Sequence, residues 1–281
     1  MTQGVLIFAQ NNAEVDYTRM AIFSAKRIKK FLGVPVSIVT DNRDYLIKTY
    51  GTEAEVFDQI IDIQSPVVQK KQFHDGSMSS KLLEWKNFSR SDAYDITPYD
   101  ETLILDADYM VATDHLSKLW DSPHDLMMFK DSYDLAQWRD TSAFTYLNQY
   151  SIPFYWATVV YFRKSSATAS FFKLVQHIRE NWGYYKILYS LDSFMFRNDF
   201  AFSIAAHVLN DGRDLGAVAQ IPGKMYYTLD KDLLMKCDDT SFTFLLEKEK
   251  HHGEYTAMKV SNLDMHIMNK YSLARLIDEQ Q

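Results

Sequence analysis

Apolar positions in the first half of the chain fall into short runs separated by amphipathic stretches. "VLIFAQ" reads as a buried strand and the polar "NNAEV" as the loop after it. From about Asp16 to Leu32 the residues Met20, Ile22, Phe23, Ile28, Phe31 and Leu32 recur with helical period, and Gly33 stands where a left-handed residue stops a helix. "PVSIVTDN" predicts a second strand, "FDQIID" (57–62) a third, Ser79 to about Asp92 a helix, and "TLIL" (102–105) a fourth strand. Strands alternating with helices predict a parallel sheet with crossover helices, the α/β class. Beyond residue 125 the pattern is less regular. It gives strands at 126–130 and 154–163, helices from about Ser166 to Asn181 and from about Asp199 to Asn210, β-like pieces around Val218, Phe242 and Met258, and a last helix from Ser272. No fixed repeat or low-complexity linker divides it, so one domain over 1–281 is expected, with a 1–130 half and a 131–281 half.

The fourth strand runs straight into two charges, Asp106 and Asp108 in "TLILDAD". In extended backbone the two leave the same face, and carboxylates that close repel unless a cation sits between them. A hard, oxygen-preferring divalent ion, Mn²⁺ or Mg²⁺, is the expected partner. Ligands of open α/β sheets collect at the carboxyl ends of the strands, which aligns Asn11 and Asn12, the Thr40–Asn42 segment with Asp41, and the aspartate pair along one edge. A second D-x-D triplet, Asp230 and Asp232, follows "MYYT", has lysine in the middle, and reads as a solvated loop or helix start.

Composition narrows the classes. The net charge of −7 argues against a nucleic-acid binder that works by overall positive field, though "KRIKK" (26–30), Lys70-Lys71 and "EKEKHH" (247–252) are local basic clusters. No secretion signal and no membrane span can be read. The single cysteine, Cys237, excludes an intrachain disulfide and fits a reducing, cytoplasmic setting, the host cytoplasm if the chain is viral.

"SSKLLEWKNFSRSDAYDITPYDETLILDADYMVATDHLSKLW" resembles the core of nucleotide-sugar glycosyltransferases of the GT-A fold, of the glycogenin-like and lipopolysaccharide galactosyltransferase-like family 8. In that family a "TKL..W" helix leads to a strand reading "LDAD". "FAQNNAEVDYTRMAIFSAKRI" and "VSIVTDN" are similar to its opening strand, loop, helix and second strand, so the resemblance covers about residues 4–130. It implies a mostly parallel sheet flanked by helices, with Asp106 and Asp108 holding Mn²⁺ on the diphosphate of a UDP-sugar. Tyr17 then falls where the family stacks an aromatic on uracil, Asn11 or Asn12 lines the base pocket, and Lys81 matches a lysine that reaches the donor. The third metal ligand is expected from a C-terminal "H..G..KPW" segment; "VSNLDMHIMNKYSL" offers His266 as ligand and Lys270 against the diphosphate, without the glycine and the Pro-Trp. The acceptor half departs further. "YWATVVYFR" stands for "FNSGV", and Asn198-Asp199 for the family's "DQ", which makes Asp199 a candidate at the donor sugar and Asp192 a second.

The expected activity is metal-dependent transfer of a sugar from a UDP-sugar or related donor to an acceptor hydroxyl, with retention of configuration. A saccharide or small glycoside is one acceptor. The other is hydroxymethylated cytosine in DNA, suggested by the tailed-phage flavour of a short chain poor in glycine and proline; there a flipped base would stack on Tyr155 and Trp156. A sugar-nucleotide nucleotidyltransferase shares the topology, but it needs a glycine-rich loop after the first strand, and this chain has none there.

Overall fold

The computed structural model describes residues 1–64, 67–148, 152–193, 195–211, 216–248 and 253–280. His251 and His252 lie outside them. In chain order the elements are β1 (Gln3–Phe8), α1 (Tyr17–Leu32), β2 (Val36–Thr40), α2 (Arg43–Tyr50), β3 (Gln59–Asp62), β4 (Gln69–Asp75), β5 (Ser79–Trp85), α3 (Ala93–Ile96), β6 (Glu101–Asp106), β7 (Tyr109–Met110), β8 (Leu126–Phe129) and β9 (Ser132–Asp134). Then follow β10 (Trp156–Arg163), α4 (Ser166–Glu180), α5 (Trp182–Leu188), α6 (Asn198–Leu209), β11 (Ala219–Gln220), β12 (Met225–Thr228), β13 (Leu233–Cys237), β14 (Ser241–Glu247), β15 (Tyr255–Ser261), β16 (Met265–Ile267) and α7 (Lys270–Glu279).

The expected mixed α/β architecture is present. A central sheet runs β11-β8-β10-β6-β1-β2-β3 and is parallel except where β10 lies antiparallel between β6 and β8. Strands β8, β10 and β11 come from beyond residue 125, so both halves of the chain build one sheet and one hydrophobic core. Central strands β1, β2, β6 and β10 are buried almost throughout, which is why they read as continuous apolar runs. Helix α1 starts at Asp16, whose side chain accepts from the backbone of Arg19, and stops at left-handed Gly33. Gly4 in β1 has a different reason: a Cβ there would stand 2.3 Å from the Tyr99 ring.

One predicted element is corrected. Ser79 to Asp92 is not a helix; Ser79–Trp85 is β5, paired antiparallel with β4 from Gln69↔Trp85 to Asp75↔Ser79, and Phe88–Asp92 is a turn of 3₁₀ helix. The determinant is "HDGS", where Gly76 takes φ +69° and turns the chain back on itself. The hairpin is fixed at both ends. At its tip the Ser77 backbone N–H donates to the Tyr255 hydroxyl (2.9 Å) and Asp75 pairs with Arg275; at its base the Gln69 carboxamide donates to the Phe196 carbonyl and accepts from the Phe196 N–H.

The C-terminal return decides where chemistry can occur. Strand β16 lies antiparallel to β7, with His266 opposite Tyr109, and the Ile267 N–H donates to the Asp108 carbonyl (3.0 Å). Asp264 secures the return by accepting from the backbone of Ala112 and Thr113. No helix among the described residues is long and apolar enough to cross a membrane.

Candidate functional site

Asp106 is the last residue of β6 and Asp108 lies in the turn to β7. The strand pairing just described brings His266 onto them. Ligand atoms of Asp106, Asp108 and His266 lie within 4.8 Å of one another, with His266 Nε2 3.3 Å from Asp108 Oδ2 and 3.9 Å from Asp106 Oδ2. Two carboxylates and one imidazole form a donor set that could hold a divalent metal ion. Lys270, first residue of α7, places Nζ 2.5 Å from Asp108 Oδ2. Asp108 is only 4% exposed. Burial opposes its charge, but Lys270 and His266 more than offset this, and the carboxyl titrates well below the usual range.

The cluster opens on a cavity of about 150 Å³ whose walls come from several elements. Tyr17 at the start of α1 lies beside the two aspartates; burial first, then their charges, push its phenol well above the ordinary value. Arg90 pairs with Asp106 and also donates to the Ala157 carbonyl (2.7 Å), while Asp199 accepts from the Ala157 N–H (3.0 Å) and pairs with Arg197 at 2.9 Å. Ala157 needs both partners because β10 slips register against β8 between Trp156 and Val160. Such an irregularity frees backbone groups at the rim of a site. Three further lining residues, Gln10, Trp156 and Asn198, each carry a buried polar atom without a hydrogen-bond partner, a mixture of donors and an acceptor that suits a hydroxyl-rich ligand.

Of the residues singled out in the sequence, Asp106, Asp108, His266, Lys270, Tyr17 and Asp199 line this one cavity, as do Trp156 and Lys71, named there for base stacking and as a basic cluster. Others stand apart. Asn11 is committed to the cap of α1, accepting from Thr18 N–H and donating to Asp16; Asn12 caps its own loop and donates to the Glu84 carbonyl. Asp41 does not line the cavity but holds Lys86, which does, at 2.8 Å. Lys81 is exposed on β5 and pairs with Glu14 at 2.9 Å, away from the cavity, because the hairpin replaced the helix expected there. Asp192 is exposed outside the cavity.

The second triplet is solvated only in part, Asp230 and Lys231 being half-buried. Asp232 is buried, forms a two-pronged pair with Arg139 (2.8 Å for one prong), and accepts from the backbone of Leu229 and Glu247. Its carbonyl takes the Asn269 amide (2.8 Å), and Asn269 caps α7, so this buried pair fixes the helix that carries Lys270. The basic run 26–30 is largely neutralised, with Lys26, Lys29 and Lys30 paired with Glu53, Asp58 and Asp239 and Arg27 buried against backbone carbonyls. Tyr155 and Trp156, expected as a stacking platform, are 6% and 1% exposed; Trp156 opens the inner strand β10 and lines the cavity, while Tyr155 just before it does not.

Sequence reasoning missed Arg90, Arg197 and the hairpin residues Phe73 and Trp85, and named Lys71 only as part of a local basic cluster. Arg90, an arginine among small polar residues sixteen positions before Asp106, offered a faint signal. The hairpin residues become visible only once "HDGS" is taken as a turn.

No protein-family model matches the chain, and no curated protein matches its sequence. Among solved structures it is similar to the galactosyltransferase LgtC, in complex with donor and acceptor sugar analogs, at 15% identity and a TM-score of 0.46, covering 77% of this chain and 72% of that one. Mouse xyloside xylosyltransferase 1 gives 11% identity and a TM-score of 0.45, with 75% and 83% covered. The 4-diphosphocytidyl-2C-methyl-D-erythritol synthase of Anaerococcus prevotii DSM 20548 gives 11% and 0.37, with 78% and 86% covered. Likeness of this degree does not carry chemistry from one chain to another.

Proposed function

We propose that the protein is a metal-dependent glycosyltransferase that moves a sugar from a nucleotide-sugar, with UDP as the nucleotide, to a hydroxyl of a saccharide or small glycoside. The carrying observation is the convergence of Asp106, Asp108 and His266, from positions 158 residues apart, with Lys270 beside them at the carboxyl edge of a mostly parallel sheet. Asp106, Asp108 and His266 would hold Mn²⁺, which when bound supplies charge neutralisation to the donor's diphosphate. Lys270 would leave Asp108 for the phosphate oxygens, and Tyr17 would lie along the nucleoside. The unpartnered polar atoms of Gln10, Trp156 and Asn198 are suited to sugar hydroxyls.

Retention of configuration fits the electrostatics. An inverting enzyme needs a free base near the acceptor hydroxyl. Each carboxylate lining the cavity is committed in this reading: Asp106 and Asp108 to the metal, and Asp199 to Arg197. A saccharide acceptor is preferred to a DNA base because only Trp156 of the expected Tyr155–Trp156 platform lines the cavity and the 26–30 cations are paired. A melting screen of nucleotide-sugars with and without Mn²⁺ tests the reading. The matching donor at 100 times its dissociation constant should add about 2.7 kcal/mol of stability, only with metal, and be turned over to free nucleoside diphosphate. A protein that no nucleotide-sugar stabilises under either condition is not this enzyme.

A further inference from the structure

The cations around the cavity are matched one by one with carboxylates: Arg90 with Asp106, Lys270 with Asp108, Arg197 with Asp199, Lys86 with Asp41. Lys71 breaks the pattern. Its ammonium lines the same cavity and is held over two rings of its own hairpin, 4.8 Å from the centroid of Trp85 and 5.7 Å from that of Phe73. Among the described residues it forms no ion pair. Burial, with the like charges of Lys270 and Arg197, brings it down to about 8, while Asp230 and Asp108 act on it only at a distance.

A lone ammonium kept beside two other cations is unfavourable until an anion arrives. The register of the hairpin puts Lys71, Phe73 and Trp85 on one face, and the Gln69–Phe196 and Asn198–Asn87 hydrogen bonds lock that face to the segment bearing Arg197. The position is therefore preorganised. A cation at Asp106–Asp108–His266 together with Lys270 answers the charge that a nucleotide-sugar brings in. When the bond between the anomeric carbon and the diphosphate oxygen breaks, the electron pair stays on that oxygen, the acceptor oxygen bonds to the anomeric carbon and releases its proton to solvent, and the diphosphate gains one more negative charge.

Resting on the nucleotide-sugar reading, we infer that Lys71 is a hairpin-borne anion ligand for the departing diphosphate, shared with Lys270 across the mouth of the cavity. Preorganised charge aimed at where charge develops acts more strongly on the leaving group than on the bound donor. Lys71 thus belongs to the chemistry of departure, and the hairpin is an active-site wall.

Titration calorimetry with inorganic pyrophosphate, UDP and the intact nucleotide-sugar, each with Mn²⁺, tests this on wild type, Lys71→Met and Lys71→Arg. Lys71→Met should weaken pyrophosphate and UDP by about 10- to 100-fold and the intact donor by much less, with the affinity for Mn²⁺ alone unchanged and Lys71→Arg recovering most of the loss. Equal pyrophosphate and UDP affinities in wild type and Lys71→Met overturn the assignment while leaving the glycosyltransferase reading standing. A raised acceptor KM with unchanged diphosphate affinity also overturns it, giving the ammonium to an anionic acceptor. If wild type binds neither diphosphate nor nucleotide-sugar, both fall.

Discussion

Replacing Asp108 by Asn changes one oxygen to an amide and removes one charge from the cluster. The chain has 281 residues, so at about 2.1 cal/mol/K per residue its unfolding entropy is about 0.6 kcal/mol/K, and 1 kcal/mol moves the melting temperature by about 1.7 °C. Mn²⁺ at 100 times its dissociation constant should add about 2.7 kcal/mol to wild type, a rise of about 4–5 °C. With a carboxylate ligand gone, affinity should fall by at least about 100-fold, so the same metal concentration should add about 0.4 kcal/mol, under about 1 °C. The metal-free variant should itself melt about 2–3 °C lower, since the Lys270 ammonium, now 2.5 Å from Asp108 Oδ2, loses a charge-assisted bond at a cost of about 1–2 kcal/mol. Differential scanning calorimetry with and without Mn²⁺ separates the two effects. An undiminished metal shift in Asp108→Asn would refute the site, whatever the baseline does.

Other outcomes follow from the same structure. Asp134 is buried against Arg139 and Asp232, and burial first, then Asp232, raises its carboxyl to about 6. Because the folded protein holds this proton more tightly, stability should fall as pH rises from about 4 to 6, by up to about 3 kcal/mol, and Asp134→Asn should flatten that slope in urea titrations. Asp232→Asn strips a buried guanidinium of its fork and should cost about 3–5 kcal/mol; a loss under about 1 kcal/mol would show that the Asp232–Arg139 pair does not hold the fold. Gly4→Ala should cost about 1–3 kcal/mol through the Tyr99 ring, and Tyr99→Leu in the same chain should recover part of it.

How far the sequence could be read depended on the range of the interactions. "TLILDAD" announced itself because a buried strand ending in two charges is a local contradiction that a sheet edge and a cation resolve. Helix α1 was equally plain, since Asp16 and Gly33 satisfy its ends from within a few residues. The hairpin was not, because Leu82, Leu83 and Trp85 at helical spacing imitate a stripe, and the tertiary bonds from Tyr255, Arg275 and Phe196 favour the strand. Lys81 therefore appeared at the donor, whereas the cavity takes its hairpin cation from Lys71. Asp232 misled in the opposite sense: a triplet with a central lysine looks wet, and only Arg139, 93 residues away, makes it a core pair. His266 and Lys270 rested on a resemblance to a family pattern, and it is the pairing of β16 with β7 that gives them their place.

The most direct test of that placement is a titration of Mn²⁺ into protein labelled at its histidine imidazoles, followed by nuclear magnetic resonance. At substoichiometric metal the His266 ring should broaden first and disappear, with His74, His115, His124, His177 and His207 unaffected until excess is reached, and Asp108→Asn should abolish the selectivity. Uniform broadening of the histidines, or first loss at any ring other than His266, would contradict the metal centre on which the proposed chemistry rests.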